Sequence, residues 1–158
     1  MSYHTYQQAK NILLSQSDLA DFAGETSIET IHKAENRLGL SFTGTYLDFL
    51  KTFGAGNFGA QEIFGIINDD FEHSSIPDGI WYTITERKEL KLPHHLLVIF
   101  DSGFGELYCL DFQQTDDNGE PCVVAFETSV ENNKQEYEII AKDFGDFLYN
   151  LIMDENEN

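Results

Sequence analysis

Basic residues are what this chain lacks. Nine Lys and Arg stand against 28 Asp and Glu, a formal net charge of −19 at pH 7. A surface of that sign repels nucleic acid and anionic membranes, and it speeds encounter with basic partners. The shortage is sharpest from Asp111 to Asn158, where Lys134 and Lys142 are the only bases. Cysteine is also scarce. Cys109 and Cys122 fall in predicted strands without metal-ligand spacing, so both are expected to be free and buried in a reducing compartment. Long apolar runs are missing, and the opening "MSYHTYQQAKNILLSQ" has no basic segment followed by an apolar one. The chain therefore reads as cytoplasmic, without a leader or membrane span.

Catalytic patterns are missing as well. The five histidines, His4, His32, His73, His94 and His95, have no chelating spacing, and adjacent His94 and His95 would point to opposite faces of a strand. Gly-Lys-Ser/Thr does not occur, so there is no phosphate loop of that type. In "DSGFGE" the turn joins two predicted strands, whereas a nucleophile elbow needs a strand followed by a helix. Asp101 and Ser102 read as turn residues that bond their own backbone. Carboxylate pairs such as Asp69-Asp70 and Asp116-Asp117 carry no acid–base signal in so acidic a chain. No catalytic residue, metal or cofactor is expected, and an enzyme is disfavoured.

What is present suits a packed core. The 158 residues include thirteen Phe and seven Tyr, enough for one domain over 1–158. A first helix is expected over Tyr6–Leu14. In "TSIETIHKAENRLG", Thr26 can cap a helix with Glu29 as reciprocal partner, Ile28, Ile31, Ala34 and Leu38 share a face, and Gly39 stops it. Thr43 then caps a second helix, with Tyr46, Phe49, Leu50 and Phe53 on one face and Gly54 closing it. Strands are expected at Gln61–Ile67, "HLLVIFD", "ELYCLDF" and "PCVVAFE", the last two joined across the Asn118-Gly119 turn. Ile80–Leu90 suits helix or strand by period, and its charged end favours helix. A closing helix is expected over Lys142–Met153, with 154–158 a frayed acidic tail. Helices at both chain ends around a run of strands give an α+β fold with a central, mostly antiparallel sheet.

Gly54, Gly56 and Gly59 spell G-x-G-x-x-G. A dinucleotide turn needs those glycines between a strand and a helix N-terminus. Here they follow a helix, whose C-terminal carbonyls repel phosphate. They read as a structural turn.

These residues also carry a family resemblance. "IETIHKAENRLGLSFTGTYLDFLKTFGAGNFG" resembles the signature of the SUKH superfamily, the Smi/Knr-type regulators and their bacterial relatives. Glu35, Leu38, Gly39, Tyr46, Phe49, Leu50, Gly54 and Gly56 stand at its motif positions. Downstream, "LLVIFDSGFGELYCLDF", including Gly105 and the Leu110-Asp111 pair, "EPCVVAFE" and "IIAKDFGDFLYNLI" are similar to its strands and closing helix. The family's proline before the Tyr helix is Thr43 here, and an acid that is commonly Asp is Glu106. A SUKH-like core over about 26–153 follows from the likeness.

The resemblance implies a protein-interaction module whose motif residues are structural. Single-domain bacterial members are regarded as immunity proteins that neutralise a secreted toxin, often a nuclease. An acidic surface suits that role, because a nuclease groove is basic. The alternative is a regulatory or scaffolding module of the fungal cell-wall type. Those forms carry low-complexity flanks that this sequence does not show. A small-ligand domain using the Gly54–Gly59 and Asp101–Glu106 turns as rims is a third reading. Candidate contacts with a basic toxin are Asp69, Asp70, Phe71, Glu72 and Asp78, with Trp81 as an aromatic anchor. The same acids also suit a solvated loop, and Trp81 also suits the core.

Overall fold

The computed structural model describes residues 2–16 and 18–156. Among them the elements run α1 (Ser2–Ser15), β1 (Ala20–Phe22), α2 (Ile28–Leu38), α3 (Gly44–Thr52), β2 (Gly56–Phe58), β3 (Gln61–Ile63), α4 (Gly79–Glu89), β4 (Leu96–Asp101), β5 (Glu106–Thr115), β6 (Pro121–Glu127), β7 (Ile139–Ala141) and α5 (Phe144–Asn156). The fold is α+β with antiparallel strands, as expected. The strands form two sheets, β1-β2-β3 and the meander β4-β5-β6-β7. Strands β1 and β7 have three residues each, too few to show a period of two, and the expected Gln61–Ile67 strand ends at Ile63.

Both faces of the meander are covered. Leu97, Ile99, Leu110 and Val123 join a cluster with Tyr6, Tyr46, Phe49, Phe144 and Leu148 from α1, α3 and α5. Leu96, Val98, Leu107, Cys109, Val124 and Phe126 face the other way, against Phe64, Leu92 and Tyr82. Double coverage explains why "LLVIF" and "CVVAF" are continuous apolar runs rather than alternating ones. Cys109 and Cys122 are free and buried in β5 and β6. The outer edge of β4 is closed too: Ile99 O accepts the Phe64 N–H at 2.9 Å, and the Val98 N–H donates to the buried Thr83 Oγ1 of α4 at 3.0 Å. A closed edge cannot recruit another strand.

Helix ends carry most of the differences from expectation. Ser27, not Thr26, caps α2, accepting the Thr30 N–H at 3.2 Å. The Thr26 N–H donates instead to Leu50 O, which holds that residue outside the helix. Ile28 is exposed, since the first turn of α2 overhangs the core, while Ile31, Ala34 and Leu38 are buried. Gly39 ends α2 in the left-handed region, as expected. Thr43 does sit at the N-cap of α3, but its side chain makes no capping bond. Glu120, from the loop between β5 and β6, does that work: its Oε1 accepts both the N–H and the hydroxyl of Thr45 at 2.7 Å. The supposed tail is partly structured. Helix α5 runs on to Asn156, and Glu155 Oε1 accepts the Ala60 N–H at 2.9 Å. Glu157 and Asn158 lie outside the described residues.

Candidate functional site

The proposed contact segment, Asp69–Trp81, leads into α4. Asp69, Asp70 and Glu72 are exposed, whereas Phe71 is buried in the main core and Asp78 is wholly buried. Neither Phe71 nor Asp78 is exposed on the surface. Phe71 is the apolar residue that pins this loop to the core. Asp78 is the N-cap of α4, its Oδ1 accepting the N–H groups of Ile80 and Trp81 at 3.0 Å each. Oδ2 accepts the Ser74 hydroxyl at 3.0 Å. Burial raises the Asp78 pKa and outweighs these hydrogen bonds, which pull it down. Trp81 is half-buried on the first turn of α4, with its ring edge-on to Tyr82.

The exposed acids of this loop have cationic neighbours. Lys33 meets Asp69 at 3.2 Å and Arg37 meets Glu72 at 2.6 Å, both reaching from α2. Lys88 of α4 stands 3.9 Å from Glu72. Asp70 accepts the N–H groups of Glu72 and His73, and these bonds, the one from His73 first, lower its pKa. The loop thus spends much of its charge holding itself to α2 and α4.

The family-motif residues serve the fold. Glu35 Oε2 accepts the Phe42 N–H at 2.7 Å and fixes the link from α2 to α3. The Tyr46 hydroxyl donates to Phe64 O at 3.0 Å, and its ring lies 4.9 Å edge-on to Phe144 and 6.1 Å from Phe49. Gly54 has φ 74°, and a Cβ there would stand 2.9 Å from Ile66 O. At Gly56, in β2, a Cβ would strike the Asp21 carbonyl of β1. These glycines let backbones approach closely. The phosphate-turn spacing is a coincidence of that need.

Asp111, of the Leu110-Asp111 pair, is buried and bonds His95 Nδ1 at 2.7 Å and the Gln113 N–H at 2.9 Å. One grouping of carboxylates has the reach of a cation site: Asp116, Glu120 and Asp143 bring one oxygen each within 4.8 Å of one another. An oxygen-only set of this kind suits a hard cation. Each member also has a backbone task. Glu120 caps α3, Asp143 Oδ1 accepts the Asp146 N–H at the start of α5, and Asp116 Oδ1 accepts the N–H groups of Asn118 and Glu120.

The third reading needs the Gly54–Gly59 and Asp101–Glu106 turns as rims, but the groove beside the second turn is lined by none of Gly54–Gly59. Ala60–Glu62 and Asp101–Gly103 line that groove, of about 260 Å³, together with Phe64, Ile76 and Phe100. One surface residue went unrecognised in the sequence. Phe104, at the tip between β4 and β5, is 91% exposed. The signal was available: Gly-Phe-Gly within a strand-to-strand turn has no core to enter.

These features define a small acidic α+β module in which motif residues build the scaffold and charged side chains cover it. The chain belongs to the SUKH family: the SUKH_6 family model, described as SMI1-KNR4 cell-wall, matches residues 28–148. No curated protein matches the chain. Among the described residues, no helix is long and apolar enough to cross a membrane.

Proposed function

We propose that the chain is a non-catalytic immunity protein that binds and neutralises a cognate bacterial toxin with a basic surface, most simply a nuclease domain. One observation carries this reading: a SUKH-type module bearing a net charge of −19. Carboxylates spread over a rigid scaffold can occupy a groove built for phosphates, and the field hastens capture before the toxin acts. The protein acts in the cytoplasm, one to one with the toxin, without cofactor or turnover. Asp69, Asp70 and Glu72, with Trp81, form one candidate contact surface, although Lys33, Arg37 and Lys88 partly neutralise it.

The family description favours a second reading, a regulatory or scaffolding module of the cell-wall-regulator type. Co-purification from the native host, followed by expression of the recovered partner's gene with and without this protein, separates the two. A basic partner that is toxic alone and harmless in co-expression supports immunity. Recovery of cell-envelope or signalling proteins alone, with no toxic neighbour, overturns immunity in favour of the regulatory module.

A further inference from the structure

We infer that the tip of the β4–β5 hairpin, with Phe104 at its apex, anchors a docking surface for a basic protein segment that carries apolar side chains between its cations. This deepens the partner-binding reading above and rests on it, by naming the surface that makes the contact.

Phe104 is the most exposed of the large hydrophobic side chains among the described residues, at 91%. Scattered apolar side chains on a surface are ordinary, but the backbone that carries this one is held in place. Gly103 and Gly105, on either side, adopt φ 81° and 90°, a conformation that favours glycine. The Ser102 N–H donates to Glu106 O at 3.1 Å, the Gly103 N–H to Asp101 Oδ1 at 2.9 Å, and the Phe104 N–H to Ser102 Oγ at 3.1 Å. From beyond β6, Thr128 donates its N–H and its hydroxyl to Gly105 O at 2.9 and 3.1 Å. An aromatic with two side-chain torsions on a fixed backbone loses little conformational entropy on docking.

The surroundings specify the occupant. Glu106 lies directly opposite Glu127 across the β5–β6 ladder, a like-charge pairing that weakens a sheet. Glu106 and Glu127 continue into a groove of about 370 Å³ lined by Ala125, Glu136, Tyr137 and Glu138. Among the described residues, none of Asp101, Glu106, Glu127, Glu136 and Glu138 belongs to an ion pair. The Asp69–Glu72 loop has its cations, whereas this rim has none. An arginine- or lysine-bearing partner would relieve the Glu106–Glu127 repulsion and complete the pairing, with Phe104 packing against apolar side chains between the cations. A second copy of this chain, or an anionic lipid surface, would meet the same rim with its own negative charge.

The test is NMR titration of the isotope-labelled full chain with a short peptide alternating Arg and Leu. Expected are amide shifts concentrated at 103–106, 127–128 and 136–138, weakened about tenfold or more by Phe104→Ala, and separately by Glu106→Gln with Glu127→Gln. Phe104→Ala removes no buried contact, so an unchanged melting temperature certifies the fold. Shifts centred on Asp69–Glu72, shifts spread evenly over the acidic surface, no binding, or indifference to Phe104→Ala would each overturn the assignment. Concentration-dependent shifts at the tip without peptide would overturn it in favour of self-association. Peptide docking at the tip in a host with no toxic neighbour would sink the immunity reading alone. A toxin neutralised equally well by Phe104→Ala would sink the docking surface alone.

Discussion

Asp78 and Asp48 show how one residue type takes opposite pH behaviour from its setting. Burial raises the Asp78 pKa, so the folded state binds its proton more readily than the unfolded state does. The charged form is then the disfavoured one in the fold, and Asp78 becomes more stabilising as pH falls through its raised pKa. Asp78→Ala is expected to cost about 1–2 kcal/mol through the lost cap, and Asp78→Asn less, since an amide oxygen still accepts. Urea denaturation at several pH values checks both, with the wild type gaining on Asp78→Asn as pH falls. Asp48 runs the other way. Partial burial would raise its pKa, but Lys10 at 2.8 Å and the Tyr6 hydroxyl at 2.6 Å outweigh it and lower it. Its contribution is present above the unfolded pKa and is lost as pH falls through the folded one.

Among the elements, α3 takes its N-terminal cap from distant chain. Its motif face, Tyr46, Phe49 and Leu50, was legible from spacing alone, and so was its stop at Gly54. Its cap was not, because Glu120 lies 75 residues away and nothing local to Thr43 points to it. A carboxylate at a helix N-terminus accepts an orphan N–H and also meets the positive end of the dipole. Glu120→Ala should therefore destabilise the protein by about 1–2 kcal/mol. Hydrogen exchange localises the effect: the Thr45 amide should exchange faster in the variant, while amides of α2 change only with global stability. An unchanged Thr45 amide would remove the capping role from Glu120.

At the scale of the molecule, the charge of −19 is a cost to the fold and, in the proposed function, a means of capture. Like charges repel within the folded state more than in the expanded one, and salt screens that repulsion. The melting temperature is expected to rise from low to high sodium chloride by about 2–4 °C, the size of a gain of about 1 kcal/mol. Association with a basic partner should slow over the same range, read by stopped-flow fluorescence of Trp81, the single tryptophan. A salt-independent association rate would remove steering from the proposed function.

Whatever rests on local chemistry was already written in the sequence. Periodic apolar faces placed α2, α3 and α5, a charged end decided α4 where period was ambiguous, glycines follow the ends of α2 and α3, and apolar runs placed β4 and β6. Order and spacing together were enough for the family. Packing alone decided what depends on residues far apart in the chain. It split the strands into two sheets, since three-residue strands such as β1 and β7 exist only through their partners. It turned Phe71 and Asp78 inward and paired Asp69 and Glu72 with bases of α2, because burial and ion pairing follow from packing rather than spacing. It also left Phe104 exposed among acids that no cation meets within the described residues. Only the finished surface distinguishes a carboxylate that is already paired with a base from one that is not.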